Sequence, residues 1–314
     1  MKKFICLLLA LSLVFAGGCV GAGGEKKNDE KIIIATSFYP IYIFTLNLVD
    51  GIDAFEVRCM AEQNIGCLHD YTLTSKDVRL LNDADAFVIN GAGMESFIED
   101  AYKNVESLFV VDSSEGISLI CDEEAEASHE AEEHSHDEGG HAHDHSVNAH
   151  IWLSVANAKK QIENIKDGLL EKFPEYSEQL SANYENYLER LVALEDVQKS
   201  YASEINGKRV ITFHKAYDYL AQAMGFEIVT CIESDEGGEP SAKRLAELTE
   251  NIKSEDIKAL FTEPQYTGSA ADILENETDI RVVVLNPVTS GEAELTAYEN
   301  IMKENFELIL KAVK

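Results

Sequence analysis

The stretch "EYSEQLSANYENYLERLVALEDVQKSYASEI", residues 175–205, contains no Gly or Pro and carries Leu and Tyr at three-and-four spacing. That pattern predicts a single helix of about thirty residues, roughly 45 Å long at about 1.5 Å per residue, which is enough to cross two domains. Pro174 punctuates its start and Gly207 its end. On both sides the chain alternates short β-rich runs with amphipathic segments. Upstream, "KIIIATS", "FEVRCM", "AFVIN" and "LFVVDS" read as buried strands, with "SKDVRLLND" and "MESFIEDAYKN" as helices between them. Downstream, "KRVITFH", "FEIVTCI", "IKALFTE" and "RVVVLNP" resume the rhythm, and "NAKKQIENIKDGLLEKF" just before Pro174 reads as a further helix. Alternation of this kind predicts parallel sheet with helices on its faces.

The expected fold is therefore α/β, with two pseudo-symmetric lobes, each a mostly parallel four-stranded sheet flanked by helices, joined by a long rigid helix. The halves echo each other: "FEVRC" at Phe55 matches "FEIVTC" at Phe226, and "TSKDVRLL" at Thr74 matches "PSAKRLAEL" at Pro240. The expected boundaries are an N-terminal lobe at 31–120, a His- and acid-rich loop at 121–147, the end of the first lobe at 148–173, the linking helix at 174–206 and a C-terminal lobe at 207–314. Ligands of such sheets collect at the carboxyl ends of the strands, which two lobes would bring together across a cleft.

Composition narrows the partners. At 314 residues with 45% hydrophobic content, the chain can supply a core for each of two domains. Its 57 acids against 26 bases give a formal charge of −31, which disfavours nucleic acid or anionic lipid surfaces and suits a cation. Lys2 and Lys3, the apolar run from Phe4 to Phe15, and then Ala16, Gly17, Gly18 and Cys19 read as an export signal, the run being too short to span a bilayer. Small residues directly before Cys19 resemble a lipobox, in which that Cys becomes the lipidated N-terminus, although Ala16 replaces the more usual Leu. Residues 20–30, "VGAGGEKKNDE", read as a flexible tether. Cys59, Cys67, Cys121 and Cys231 remain; outside the cytoplasm an even number suggests disulfides, and four allow three pairings. A Cys59–Cys67 bridge would close a short loop worth about 2 to 3 kcal/mol on chain entropy. Four buried thiols are the alternative.

Nine histidines sort into two groups. His129, His134, His136, His141, His143 and His145 lie in a run that, from Asp122 to His145, also holds ten acids, Gly139, Gly140 and no apolar period. Such a run is expected to be disordered without metal and to bind ions weakly, since ordering it consumes much of the gain. Its "HEAEEH" is no zincin motif, because His129 and His134 are five apart rather than four. His69, His150 and His214 each sit where a strand or loop gives way to a helix, His69 ahead of Thr74 or Ser75 as a cap. Each alone reads as a hydrogen-bonded core group; three neutral imidazoles converging from distant segments suit a borderline-soft ion such as Zn²⁺.

"TSFYPIYIF", "GCLHDYTLTSKDV", "INGAGMESFI", "NAHIWLSVANA", "TFHKAYDYLAQAMGF", "EPSAKRLAEL", "FTEPQY" and "LNPVTSGE…AYENIM" together resemble the metal-binding receptors of ABC importers, specifically the zinc-uptake (ZnuA-like) branch. The resemblance runs in order from about Lys31 to the C-terminus. It implies an extracytoplasmic receptor, monomeric and lipid-anchored to the outer face of the cytoplasmic membrane, that hands its ion to a metal permease with its ATPase. It also implies that His69, His150 and His214 hold the ion between the lobes. The manganese-favouring branch tends to carry a carboxylate at the place of His214, so imidazole there points to Zn²⁺ ahead of Mn²⁺. Many relatives take a fourth ligand from an Asp in a late "LDP"; here Asn286 stands in "LNP", leaving water, Glu292 or Glu263 for that position. Glu263 is equally suited to orienting a histidine from behind. A different class of reading is a zinc hydrolase with three His, an open fourth position and Glu263 as base; a third is an adhesin or metal chaperone that feeds no transporter. The first lacks any identifiable nucleophile or oxyanion device.

Overall fold

The computed structural model describes residues 31–61, 71–121, 147–232, 240–266 and 269–314. Two four-stranded parallel sheets organise them. The first is built from β1 (Ile32–Thr36), β2 (Phe55–Cys59), β3 (Ala86–Ile89) and β4 (Phe109–Asp112) in the order β2-β1-β3-β4. The second comprises β5 (Arg209–Thr212), β6 (Glu227–Cys231), β7 (Ile257–Thr262) and β8 (Arg281–Val284) in the order β6-β5-β7-β8. The two orders are congruent: the echoing segments at Phe55 and Phe226 fall on equivalent edge strands. Central strands covered on both faces explain the continuous apolar runs, all four residues of β3 being buried.

Helices α1 (Tyr39–Val49), α2 (Ser75–Asp83) and α3 (Glu99–Lys103) belong to the first sheet, and α4 (Val155–Lys172) packs on β4. Thr74 caps α2: its hydroxyl accepts from Asp77 N–H while the Asp77 carboxylate accepts from Thr74 N–H, an Asp version of the capping box. The helix expected over 94–104 is shorter, a 3₁₀ turn at Ser96–Ile98 running into α3. The reason is Glu95, whose carboxylate turns inward to accept the N–H groups of Asn90 and Gly91 at 2.8 and 3.0 Å. Gly91 lies at φ 78°, and a Cβ there would stand 1.9 Å from Asp112 Oδ1.

The predicted long helix is α5 (Ser177–Ile205), 29 residues or roughly 44 Å, preceded by a separate 3₁₀ turn at Pro174–Tyr176 that the Pro ring initiates. It joins the lobes and packs against α1 and α4 on one side and against α6 (Asp218–Met224) and α9 (Ala297–Val313) on the other. Helices α7 (Ala242–Ser254) and α8 (Ser269–Glu277) complete the second lobe. The largest hydrophobic cluster draws on both lobes, from Ile34 and Phe44 through Leu191 and Leu194 to Phe261 and Phe306.

Candidate metal centre

His214 stands two residues beyond β5 and His150 immediately before a 3₁₀ turn at Ile151–Leu153 that leads into α4. Their rings meet, with centroids 4.9 Å apart and planes at 81°. An imidazole nitrogen about 2.0 to 2.1 Å from zinc puts its ring centre about 3.2 Å from the ion, so two tetrahedral imidazoles have centres about 5 Å apart. The observed separation is compatible with such sharing.

Each ring is held from behind through Nδ1. His214 Nδ1–H donates to Glu263 Oε1 at 3.1 Å, and Glu263, at the end of β7, is 1% exposed. Gln265 Nε2 donates to the other oxygen of that carboxylate, and the buried Tyr217, whose hydroxyl donates to Leu285 O at 3.4 Å, lies near it. Burial first, and the neighbouring Glu263 next, hold the Tyr217 phenol well above its ordinary range, so it stays a neutral donor. His150 Nδ1–H donates to Asn148 Oδ1 at 2.9 Å, and the His150 backbone N–H donates to the same oxygen at 2.9 Å. Pinning of this kind fixes which ring nitrogen keeps its proton and is what metal-bound imidazoles ordinarily have. Aromatic groups enclose the pair: Trp152 lies 5.2 Å from the His150 ring and Tyr266 lies 5.8 Å from the His214 ring, itself stacked on Phe213 at 4.8 Å.

His69 lies outside the described residues, as do His129, His134, His136, His141, His143, His145, Cys19 and Cys67. Among the described residues, no three His, Cys, Asp or Glu side chains are grouped as a metal site. Cys59 is a free thiol that donates to Ala61 O at 3.1 Å. The fourth-ligand candidates separate by their bonds. Asn286 Oδ1 accepts from Val288 N–H at 2.8 Å and its Nδ2 donates to Ser290 O at 3.3 Å, so the amide is spent shaping its own loop. Val288 there sits at φ 61°, a left-handed conformation costly for a β-branched residue. The loop touches the site: Trp152 Nε1 donates to Pro287 O at 2.8 Å. Glu292 is exposed, and its backbone oxygen accepts from Tyr39 OH at 2.7 Å.

Reasoning from sequence missed Asn148, Tyr217 and Asp218. Asn148 had a usable signal, since an amide two residues before a candidate histidine can fold back onto it; the other two are recognisable only in three dimensions.

Residues 34–312 match the family described as ZnuA: Zinc-uptake complex component A periplasmic. The chain belongs to the ZnuA family. Within that family it is 30% identical to the high-affinity zinc uptake system protein ZnuA of Bacillus subtilis, over 98% of this chain and 95% of the relative. It is 31% identical to the zinc-binding protein AdcA of Streptococcus pyogenes over 98% of its own length, yet it spans 61% of that longer protein. The Zn(II)-bound ZnuA-like domain of Streptococcus pneumoniae AdcA superposes with a TM-score of 0.71 at 26% identity, covering 90% of this chain and 99% of that domain. The ZnuA fold of two parallel sheets and a joining helix is thus shared by this chain.

Proposed function

We propose that the chain is an extracytoplasmic high-affinity Zn²⁺ receptor that delivers the ion to an ABC-type permease and its ATPase. The observation that carries this reading is the His150–His214 pair, 4.9 Å apart, with each Nδ1 engaged by a buried oxygen so that Nε2 is the nitrogen presented for coordination. His69, outside the described residues, is the third ligand in this reading. Imidazoles favour zinc over manganese, which prefers harder oxygen donors. That preference agrees with the names of two relatives, one a zinc-binding protein and one a high-affinity zinc uptake system protein. Asn286 and Glu263 are engaged elsewhere, which leaves water or Glu292 to complete the shell.

The remaining roles follow from sequence. Cys19 carries a lipid anchor that keeps the receptor at the outer face of the cytoplasmic membrane, and residues 122–145 concentrate ions weakly for transfer through neighbouring His150. The match to the zinc-uptake family and to a relative named for high-affinity zinc uptake supports transport ahead of hydrolysis.

Calorimetric titration of the full chain with Zn²⁺ and with Mn²⁺, repeated after deletion of residues 122–145, tests both parts. One tight zinc site survives the deletion, and His150→Ala or His214→Ala lowers its affinity by at least about 10- to 100-fold. Tighter manganese than zinc binding, or ester hydrolysis that vanishes with His214→Ala, overturns the receptor reading; loss of the tight site with the loop refutes the division of labour.

A further inference from the structure

The Asn148 side chain, 5% exposed as a residue, makes four hydrogen bonds, the full capacity of an amide. Its Nδ2 donates to Asp218 Oδ2 at 2.8 Å and to Lys215 O at 3.0 Å, while its Oδ1 accepts from the backbone N–H and the ring Nδ1 of His150. The two ends of this amide face opposite chemistry. Turned over, it would set its oxygen against a carboxylate and a carbonyl and its NH₂ against an N–H donor, so the charged Asp218 acceptor, with Lys215 O and the His150 N–H, fixes which way round it sits. With Oδ1 toward the ring, His150 Nδ1 must carry the proton, and Nε2 holds the lone pair that a cation needs.

The partners come from different lobes. Asn148 leads into α4, which packs on the first sheet, whereas Lys215 and Asp218 lie between β5 and the first turn of α6 in the second lobe. Tyr219 reinforces the seam: its hydroxyl donates to Asn148 O at 2.8 Å and accepts from Ile120 N–H at 2.9 Å.

We propose that Asp218 is a positioning residue for His150, acting across the lobe boundary through Asn148, so that the ring is set for zinc only while the two lobes are together. A small shift between the lobes, enough to stretch the bonds from Asn148 Nδ2 to Asp218 and Lys215 O, frees the amide to turn and loosens the ligand, which couples lobe movement to release. The proposal rests on the reading of His150 as a zinc ligand.

The test uses the full chain. Nitrogen-15 NMR of the metal-free protein reports the His150 tautomer, calorimetry reports zinc affinity and thermal unfolding reports integrity, for wild type, Asp218→Ala and Asp218→Asn. Wild-type His150 is in the Nδ1–H form. Asp218→Ala gives a mixture of tautomers and a zinc Kd raised about 10- to 100-fold, the usual effect of losing an outer-shell partner. Asp218→Asn still offers an acceptor to Asn148 Nδ2 and recovers the single tautomer, with most of the affinity. If Asp218→Ala does not fold, Asp218→Ser replaces it, being too short to reach Asn148. Unchanged tautomer and affinity in the truncated variant, or an Asn variant as weak as Ala, overturns the proposal. Failure of wild type to bind zinc overturns the receptor reading instead, and the tautomer comparison still decides the role of Asp218.

Discussion

Tyr39 and Gly291 touch across the lobe boundary: the Tyr39 hydroxyl donates to Glu292 O at 2.7 Å, and a Cβ added at Gly291 would lie 2.4 Å from that hydroxyl oxygen. Tyr39 is 1% exposed at the start of α1, so its ring has little room to yield. Gly291→Ala is therefore expected to destabilise the fold by about 1 to 3 kcal/mol through overpacking, and Tyr39→Phe by about 1 kcal/mol through the lost hydrogen bond. In the double variant the worst clash is gone, so the two losses do not add. Urea denaturation of the cycle measures this; strict additivity would show that the contact is not formed in solution.

Glu95 supplies a pH dependence. Its burial, opposed by the N–H donors of Asn90 and Gly91, pushes the carboxyl up to about 7, and nearby Asp112 adds to the rise. Because the folded value lies above the unfolded one, the contribution of the neutral acid is fully present below about pH 4.5 and is lost as pH rises through about 7. Relative to Glu95→Gln, wild type is thus expected to lose up to about 3 kcal/mol of stability between pH 5 and pH 8. Chemical denaturation of both proteins across that window checks the sign, and a wild type that gains stability relative to Glu95→Gln as pH rises contradicts it.

Gly168 faces the first sheet from α4. A Cβ there would stand 2.7 Å from both methyl carbons of Val111 on β4. Gly168→Ala should cost about 1 to 3 kcal/mol despite its better helix propensity, and Val111→Ala in the same chain should return part of it. The thermal midpoints of the three variants decide the matter.

Glu263 and Asn286 should separate affinity from stability. Glu263→Gln leaves a group of the same shape behind His214 but weakens the acceptor, so zinc affinity is expected to fall about 10- to 100-fold. Asn286→Ala removes the acceptor for Val288 N–H in a strained loop and should lower stability by about 1 to 3 kcal/mol while changing zinc affinity little. Calorimetry and urea denaturation on the same samples give both readouts, and a large affinity loss in the Asn286 variant would make that residue a ligand after all.

The sheets and joining helix were legible because buried parallel strands write unbroken apolar runs, such as "KIIIATS", and a helix free of Gly and Pro writes a steady three-and-four period. Local boundaries were less so. The reading of 94–104 as one helix missed that Glu95 serves Asn90 and Gly91, and α4 begins at Val155 because the Ser154 hydroxyl accepts from Asn157 N–H. The positions of His150 and His214 at strand and loop ends were legible, and the structure brings their two rings together. Asp218 was not, because a bond between residues 70 apart leaves no spacing to read. Asn286 looked like a degraded ligand, whereas the structure gives it a task of its own in holding Val288 at positive φ.

The hydrophobic cluster that runs from Ile34 and Phe44 through Leu191 and Leu194 to Phe261 and Phe306 makes the two halves thermodynamically inseparable. A fragment cut on either side of α5 would turn a share of that apolar seam toward water and lose the burial that sustains it. Heating should therefore melt residues 31–314 in one calorimetric peak, and any rocking of the halves must be small enough to leave their common interior dry.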